Sequence, residues 1–169
     1  LKSYDYLWTT PITFVASANC GLYCGAKIDF VDINPKTGLM CTEKLSNKLE
    51  AAKLSGKLPK IVIPVHLAGT SCNMPKIYEL SKKYGFSIIE DASHAIGGYC
   101  NNSPVGSSKF SDITIFSLHP VKIITSGEGG IALTNNNHLK EKMKCLRSHG
   151  IIKDKNLFKN PNVGQWCYE

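Results

Sequence analysis

Residues 112–130, Asp112 to Gly130, read DITIFSLHPVKIITSGEGG. Ile113, Ile115 and Phe116 open the stretch as an apolar, β-rich run, the pattern of a buried strand. A polar turn follows at His119-Pro120. Lys122 then stands alone between Val121 and Ile123-Ile124, ahead of the cluster Gly127-Glu128-Gly129-Gly130. A lysine wedged among apolar residues loses hydration, which favours its neutral amine and makes it a nucleophile of the Schiff-base type. Taken alone, the segment is equally the pattern of a surface lysine on a loop.

A second stretch upstream, FSIIEDASHAIGG from Phe86 to Gly98, bears on that choice. Phe86, Ile88 and Ile89 read as another buried strand, and Glu90-Asp91 fall at its carboxyl end, where ligands collect in open α/β sheets. A carboxylate there and a distant lysine are together what pyridoxal phosphate requires, the lysine for its aldehyde and the carboxylate for its ring nitrogen. Asp91 on its own is equally a turn former or a helix cap after the strand.

Outward from these two segments, strands alternate with helices, which predicts an α/β fold with a largely parallel sheet. Tyr6-Leu7-Trp8 reads as a strand, and Thr13 as the cap of a helix carrying Phe14, Val15, Ala18 and Leu22. Lys27 to Ile33 alternates as a half-buried strand, and Thr42 caps a helix with Leu45, Leu49 and Ala52 on one stripe. The β-branched run from Lys60 to Val65 predicts a strand buried on both sides. Pro75 and Gly85 bracket a helix carrying Ile77, Leu80 and Tyr84. After the Lys122 region come a short strand at Ile131-Ala132-Leu133, a turn at Asn135–Asn137 and a helix with Leu139, Met143 and Leu146 on one face.

The chain has 169 residues, 43% hydrophobic and 20% charged, the balance of a soluble globular domain. It has no apolar run long enough to span a bilayer. Its net charge of +7 raises the question of nucleic acid. The lysines are scattered over helix faces and Arg147 is the only arginine, which argues against groove readout and leaves a surface that favours anionic substrates. Seven cysteines form no CxxC pair. Cys20 and Cys24, four apart, are half of a metal site at most, so buried free thiols in a reducing cytoplasm are expected. The missing initial methionine and abrupt end at Cys167-Tyr168-Glu169 predict a fragment.

With these readings in place, five ordered motifs carry a resemblance: TTPITFVASAN (9–19), IPVHLAG (63–69), EDASHAIGG (90–98), FSLHPVKIITSGEGG (116–130) and LRSHG (146–150). Together they resemble the DegT/DnrJ/EryC1/StrS sugar aminotransferases, from about Trp8 to the end of the chain. The resemblance implies a type I, aspartate aminotransferase-like fold, with residues 1–152 part of the large domain that binds pyridoxal 5'-phosphate. Residues 153–169 would then be a loop or linker towards a small C-terminal domain. It also implies roles: Lys122 for the aldehyde, Asp91 for the ring nitrogen, His94 for the phenolic oxygen, Ser117 for the phosphate and Phe14 against the ring face. His94 is equally a helix-start histidine and Phe14 equally a core residue, while His66 is given only a structural place. Members that dehydrate sugars lack a lysine at the Lys122 position, so the resemblance favours transamination. It further implies a homodimer, glutamate as amino donor, and a UDP-linked 4-keto-6-deoxy-N-acetylhexosamine as acceptor, in making a cell-surface amino sugar such as pseudaminic acid. Another nucleotide keto-sugar, cofactor binding without turnover, and a non-catalytic basic binding module are the alternatives.

Overall fold

The structure, a computed structural model, describes residues 1–152 and 167–168. The chain separates into two compact units, residues 1–133 and 134–169.

The first unit is built on a six-stranded sheet. In chain order its elements are β1 (Tyr6–Thr9), α1 (Ala16–Tyr23), β2 (Lys27–Phe30), α2 (Thr42–Ser55), β3 (Pro59–Val62), a 3-10 turn at Leu67–Gly69, α3 (Met74–Tyr84) and β4 (Ser87–Asp91). The hairpin β5 (Tyr99–Cys100) and β6 (Ser103–Pro104) follows, then β7 (Ile113–Ser117) and β8 (Gly130–Leu133). The sheet order is β2-β1-β3-β4-β7-β8, parallel throughout except for β8, which runs antiparallel to β7. The expected α/β architecture with a mostly parallel sheet is therefore observed. The order reverses between β1 and β3, a switch point that opens a crevice at the carboxyl ends of the strands.

Neighbouring residues on a strand face opposite sides of the sheet, and β1 uses both. Trp8 packs into a buried cluster with Leu45 and Leu49 of α2 and Ile77 and Leu80 of α3. Each fully buried aliphatic side chain there contributes about 1.5–3 kcal/mol. Leu7 faces the other way, toward α1: a Cβ on Gly21 would lie 3.0 Å from Leu7 Cδ1 and 2.5 Å from Ile28 Cδ1. The glycine lets helix α1 approach the sheet closely.

Four local expectations need correction. Neither Thr13 nor Thr42 caps a helix; Val15 and Cys41 stand at those positions without side-chain cap bonds. The Thr13 hydroxyl is instead 3.1 Å from Ser17 Oγ. The strand from Lys27 stops at Phe30, with Ile33 in an isolated bridge to Met40. The run from Lys60 is a shorter strand with Lys60 exposed, although Val65 still bridges to Asp91. Cys20 and Cys24 are exposed, and Cys72 is the buried thiol among the described cysteines.

The second unit contains α4 (Asn137–Arg147), capped by Asn136 Oδ1, which accepts from the backbone of His138 and Leu139. It also contains β9 (Ile151–Ile152), antiparallel to β10 (Cys167–Tyr168). The expected loop or linker over 153–169 otherwise lies outside the described residues.

Candidate active site

A cavity of about 550 Å3 opens at the carboxyl ends of the central strands. Phe14, Asp91, His94, Ser117 and Lys122 all line it, brought together from segments up to 108 positions apart (122 − 14). His66, His119, Glu128 and Gly129 line it too.

Asp91 ends β4 with its backbone pinned on both sides. Its N–H donates to the Pro64 carbonyl at 3.0 Å and its carbonyl accepts from His66 N at 2.9 Å. Its side chain accepts two hydrogen bonds. Oδ1 accepts from the Ser93 backbone N–H at 3.1 Å, which is turn chemistry. Oδ2 accepts from the Ser17 hydroxyl at 2.5 Å, at the cavity.

Lys122 sits in the turn after β7 rather than in a strand. Its N–H donates to the His119 carbonyl at 2.9 Å, so the chain reverses at His119-Pro120, as expected if Ser117 and Lys122 are to reach one site. The loop is closed at its neck: Leu118 N donates to Gly129 O at 2.9 Å, and Ser126 N donates to Leu118 O at 3.1 Å. Thr125 Oγ1 also donates to Leu118 O at 2.9 Å. Gly129 has φ +152, and a Cβ there would come within 2.8 Å of Ser126 Oγ, so the neck requires glycine. The apolar wedge expected around Lys122 is not formed. Val121 is 77% and Ile123 70% exposed, so the residues that flank Lys122 in sequence do not bury it.

Phe14 is 74% exposed while lining the cavity, so it is not a core residue. His94 does not start a helix; it lies in a turn, and its Nδ1 accepts from Ala68 N at 3.3 Å. With Nδ1 an acceptor, the ring proton is on Nε2, which makes that nitrogen a donor. Ser117, at the end of β7, accepts from the His119 backbone N–H at 3.3 Å.

Behind the cavity lies a polar cluster that sequence reasoning missed. His66 is fully buried; its Nδ1 accepts from Cys72 N at 3.3 Å, and its Nε2 donates to Glu90 Oε2 at 2.7 Å. Glu90 Oε1 accepts from the hydroxyls of Ser111 and, at 3.0 Å, Thr114. Burial works to raise the Glu90 carboxyl, but the hydrogen bonds from His66, Ser111 and Thr114 outweigh it and hold the group below its ordinary value. Burial pushes the neighbouring Cys72 thiol up to about 12. The available signal was two polar residues, His66 and Glu90, each ending an apolar run of the sequence.

An amine, a carboxylate, a histidine donor, a hydroxyl and an exposed aromatic face around one cavity form the donor set that pyridoxal 5'-phosphate needs. The profile of the DegT/DnrJ/EryC1/StrS aminotransferase family matches residues 1–165. The chain is 46% identical over 145 residues to the UDP-4-amino-4,6-dideoxy-N-acetyl-beta-L-altrosamine transaminase of Campylobacter jejuni, covering 86% of this chain and 37% of that protein. It is 38% identical over 165 residues to the GDP-perosamine synthase of Caulobacter vibrioides, covering 96% of this chain and 39% of that protein. Among solved structures it is similar to Helicobacter pylori PseC, an aminotransferase involved in the biosynthesis of pseudoaminic acid. The TM-score there is 0.81 at 35% identity, over 95% of this chain and 41% of that one. The chain thus spans less than half the length of the relatives it matches.

Proposed function

We propose a function that proceeds from a plain fact: this chain belongs to the DegT/DnrJ/EryC1/StrS aminotransferase family. The protein containing it moves an amino group from glutamate to the keto carbon of a UDP-linked 4-keto-6-deoxy-N-acetylhexosamine, using pyridoxal 5'-phosphate. Residues 1–152 are part of the cofactor-binding large domain. The observation that carries the reading is the meeting of Lys122 and Asp91 in one cavity with Phe14, His94 and Ser117.

Bound there, the cofactor supplies an aldehyde that takes up amines and a ring that spreads the charge left when a C–H proton departs. The Lys122 amine would anchor the aldehyde; once displaced by the donor, Lys122 Nζ would take the proton from the donor's α-carbon and deliver it to the former aldehyde carbon, as general base and then acid. Asp91 would hold the ring nitrogen and favour its protonated form. His94 Nε2–H would donate to the phenolic oxygen, the Ser117 hydroxyl would bind the phosphate, and Phe14 would cover one ring face.

The greater identity to the altrosamine transaminase, 46% against 38% for the perosamine synthase, supports a UDP-linked acceptor over a GDP-linked one. The test is the full-length protein given glutamate and each of the two nucleotide keto-sugars. Mass spectrometry should find the UDP-linked amino sugar. A product only from the GDP-linked sugar would change the substrate, and no aminated product from either would overturn the reading. The homodimer and a cytoplasmic place belong to the same proposal, and the mass of the full-length protein in solution tests the former.

A further inference from the structure

Ser17 lies in the first turn of α1, buried, with its hydroxyl directed at Asp91 rather than at its own helix. Because its proton is committed to Asp91 Oδ2 at 2.5 Å, Ser17 Oγ is left as an acceptor. Thr13 Oγ1, 3.1 Å away and four residues earlier, is placed to donate to it. The hydrogen bonds therefore run one way, from Thr13 to Ser17 to Asp91. The Asp91 backbone is already fixed through Pro64 and His66, and Oδ1 is held by Ser93 N. What remains soft in an aspartate is the rotation of its carboxylate plane, a broad torsion with no sharp intrinsic minimum. A short, charge-assisted bond to Oδ2 fixes that plane.

We infer that Ser17, itself held by Thr13, is a positioning residue that sets the carboxylate plane of Asp91 toward the ring nitrogen of the cofactor. The inference rests on the reading of Asp91 as that nitrogen's partner. Its physical content is directional. A carboxylate free to rotate presents its lone pair to the nitrogen for part of the time, whereas one held by Ser17 presents it throughout. Ser17 touches neither cofactor nor substrate in this scheme.

The experiment uses full-length protein loaded with pyridoxal 5'-phosphate labelled with 15N in the ring, the nitrogen signal reporting directly on ring-nitrogen protonation. Asp91→Asn should move the signal toward the unprotonated position. Ser17→Ala should move it part of the way, and Ser17→Thr, which keeps the hydroxyl, should restore it. In parallel, kcat of Ser17→Ala should fall about tenfold with KM nearly unchanged, the size of effect that removing a partner of a contact residue has in metal sites. Should Ser17→Ala not fold, Ser17→Cys, of similar size with a weak donor, carries the same expectation. An unmoved signal in Ser17→Ala beside a moved one in Asp91→Asn overturns the inference and leaves the Asp91 reading intact. Equal shifts in Ser17→Ala and Ser17→Thr also overturn it, since packing and not the hydroxyl would then matter. An unmoved signal in Asp91→Asn removes the Asp91 reading itself.

Discussion

Glu90 and Asp91 are adjacent carboxylates that the pleat of β4 sends to opposite environments. Glu90 is buried among three donors, and Asp91 opens onto the cavity. Because the Glu90 carboxyl is held below its ordinary value of 4.5, the unfolded chain binds its proton more readily than the folded one. Its stabilisation is therefore complete above that value and is lost as pH falls through the lower folded one. Glu90→Gln should cost about 2 kcal/mol at neutral pH and flatten the acid limb of the stability curve, as measured by denaturant titration of the full-length protein at neutral and at acid pH. Lys122 gives a second test at this scale. Borohydride reduction of the loaded protein should attach the cofactor at Lys122 alone, and a label found by peptide mapping on Lys109 or Lys140 would exclude it as the anchor. Asp91 was legible because it closes the apolar run of a strand, and Lys122 because it is a lone charge between apolar neighbours. Ser17 was not: its partner is 74 residues away, and a serine in a helix announces nothing until the fold brings Asp91 to it.

At the level of elements, punctuation was read best where one residue satisfies one local need. Pro75 opens α3, Asn73 Oδ1 caps it by accepting from Lys76 N, and Gly85 closes it at φ +77. The Thr13 cap failed because its hydroxyl has a competing partner in Ser17. The antiparallel direction of β8 was also not legible in the sequence. It follows from the helix-free connection over residues 118–129, which returns the chain beside the strand it left. Two glycines separate stability from function at this scale. Gly85→Ala has open space but a left-handed backbone and should cost about 1 kcal/mol of stability while sparing cofactor uptake. Gly129→Ala meets Ser126 Oγ at the neck of the Lys122 loop, so it should weaken cofactor uptake, read by absorbance titration, more than it lowers the melting temperature.

For the molecule as a whole, the alternation of strands and helices was sufficient to read the fold class, because parallel strands need crossovers and the crossovers are helices. The apolar surface around the cavity has no counterpart in that pattern. Phe14, Val15, Val121 and Ile123 are all more than half exposed, and β8 forms one edge of the sheet with Ile131 and Leu133 partly in solvent. Exposed apolar patches and bare strand edges favour association. Residues 1–169 expressed alone should therefore self-associate and should not transaminate. Val121→Ser with Ile123→Ser should reduce the association, as measured by light scattering. A monodisperse monomer that turned over glutamate would contradict this expectation.

The strand order also implies a timetable. After β1, the strand β2 settles on one side and β3 on the other, and then β4, β7 and β8 each add to the same growing edge in the order of synthesis. A ribosome releasing this chain delivers every strand next to one already in place, so no later segment has to be threaded between two paired neighbours. The phenylalanine emerges first, the aspartate midway and the lysine near the end of the unit, and the neck that holds the lysine's loop closes only when Gly129 has followed. A nascent chain halted before that glycine would carry most of the sheet but leave the loop around Lys122 open.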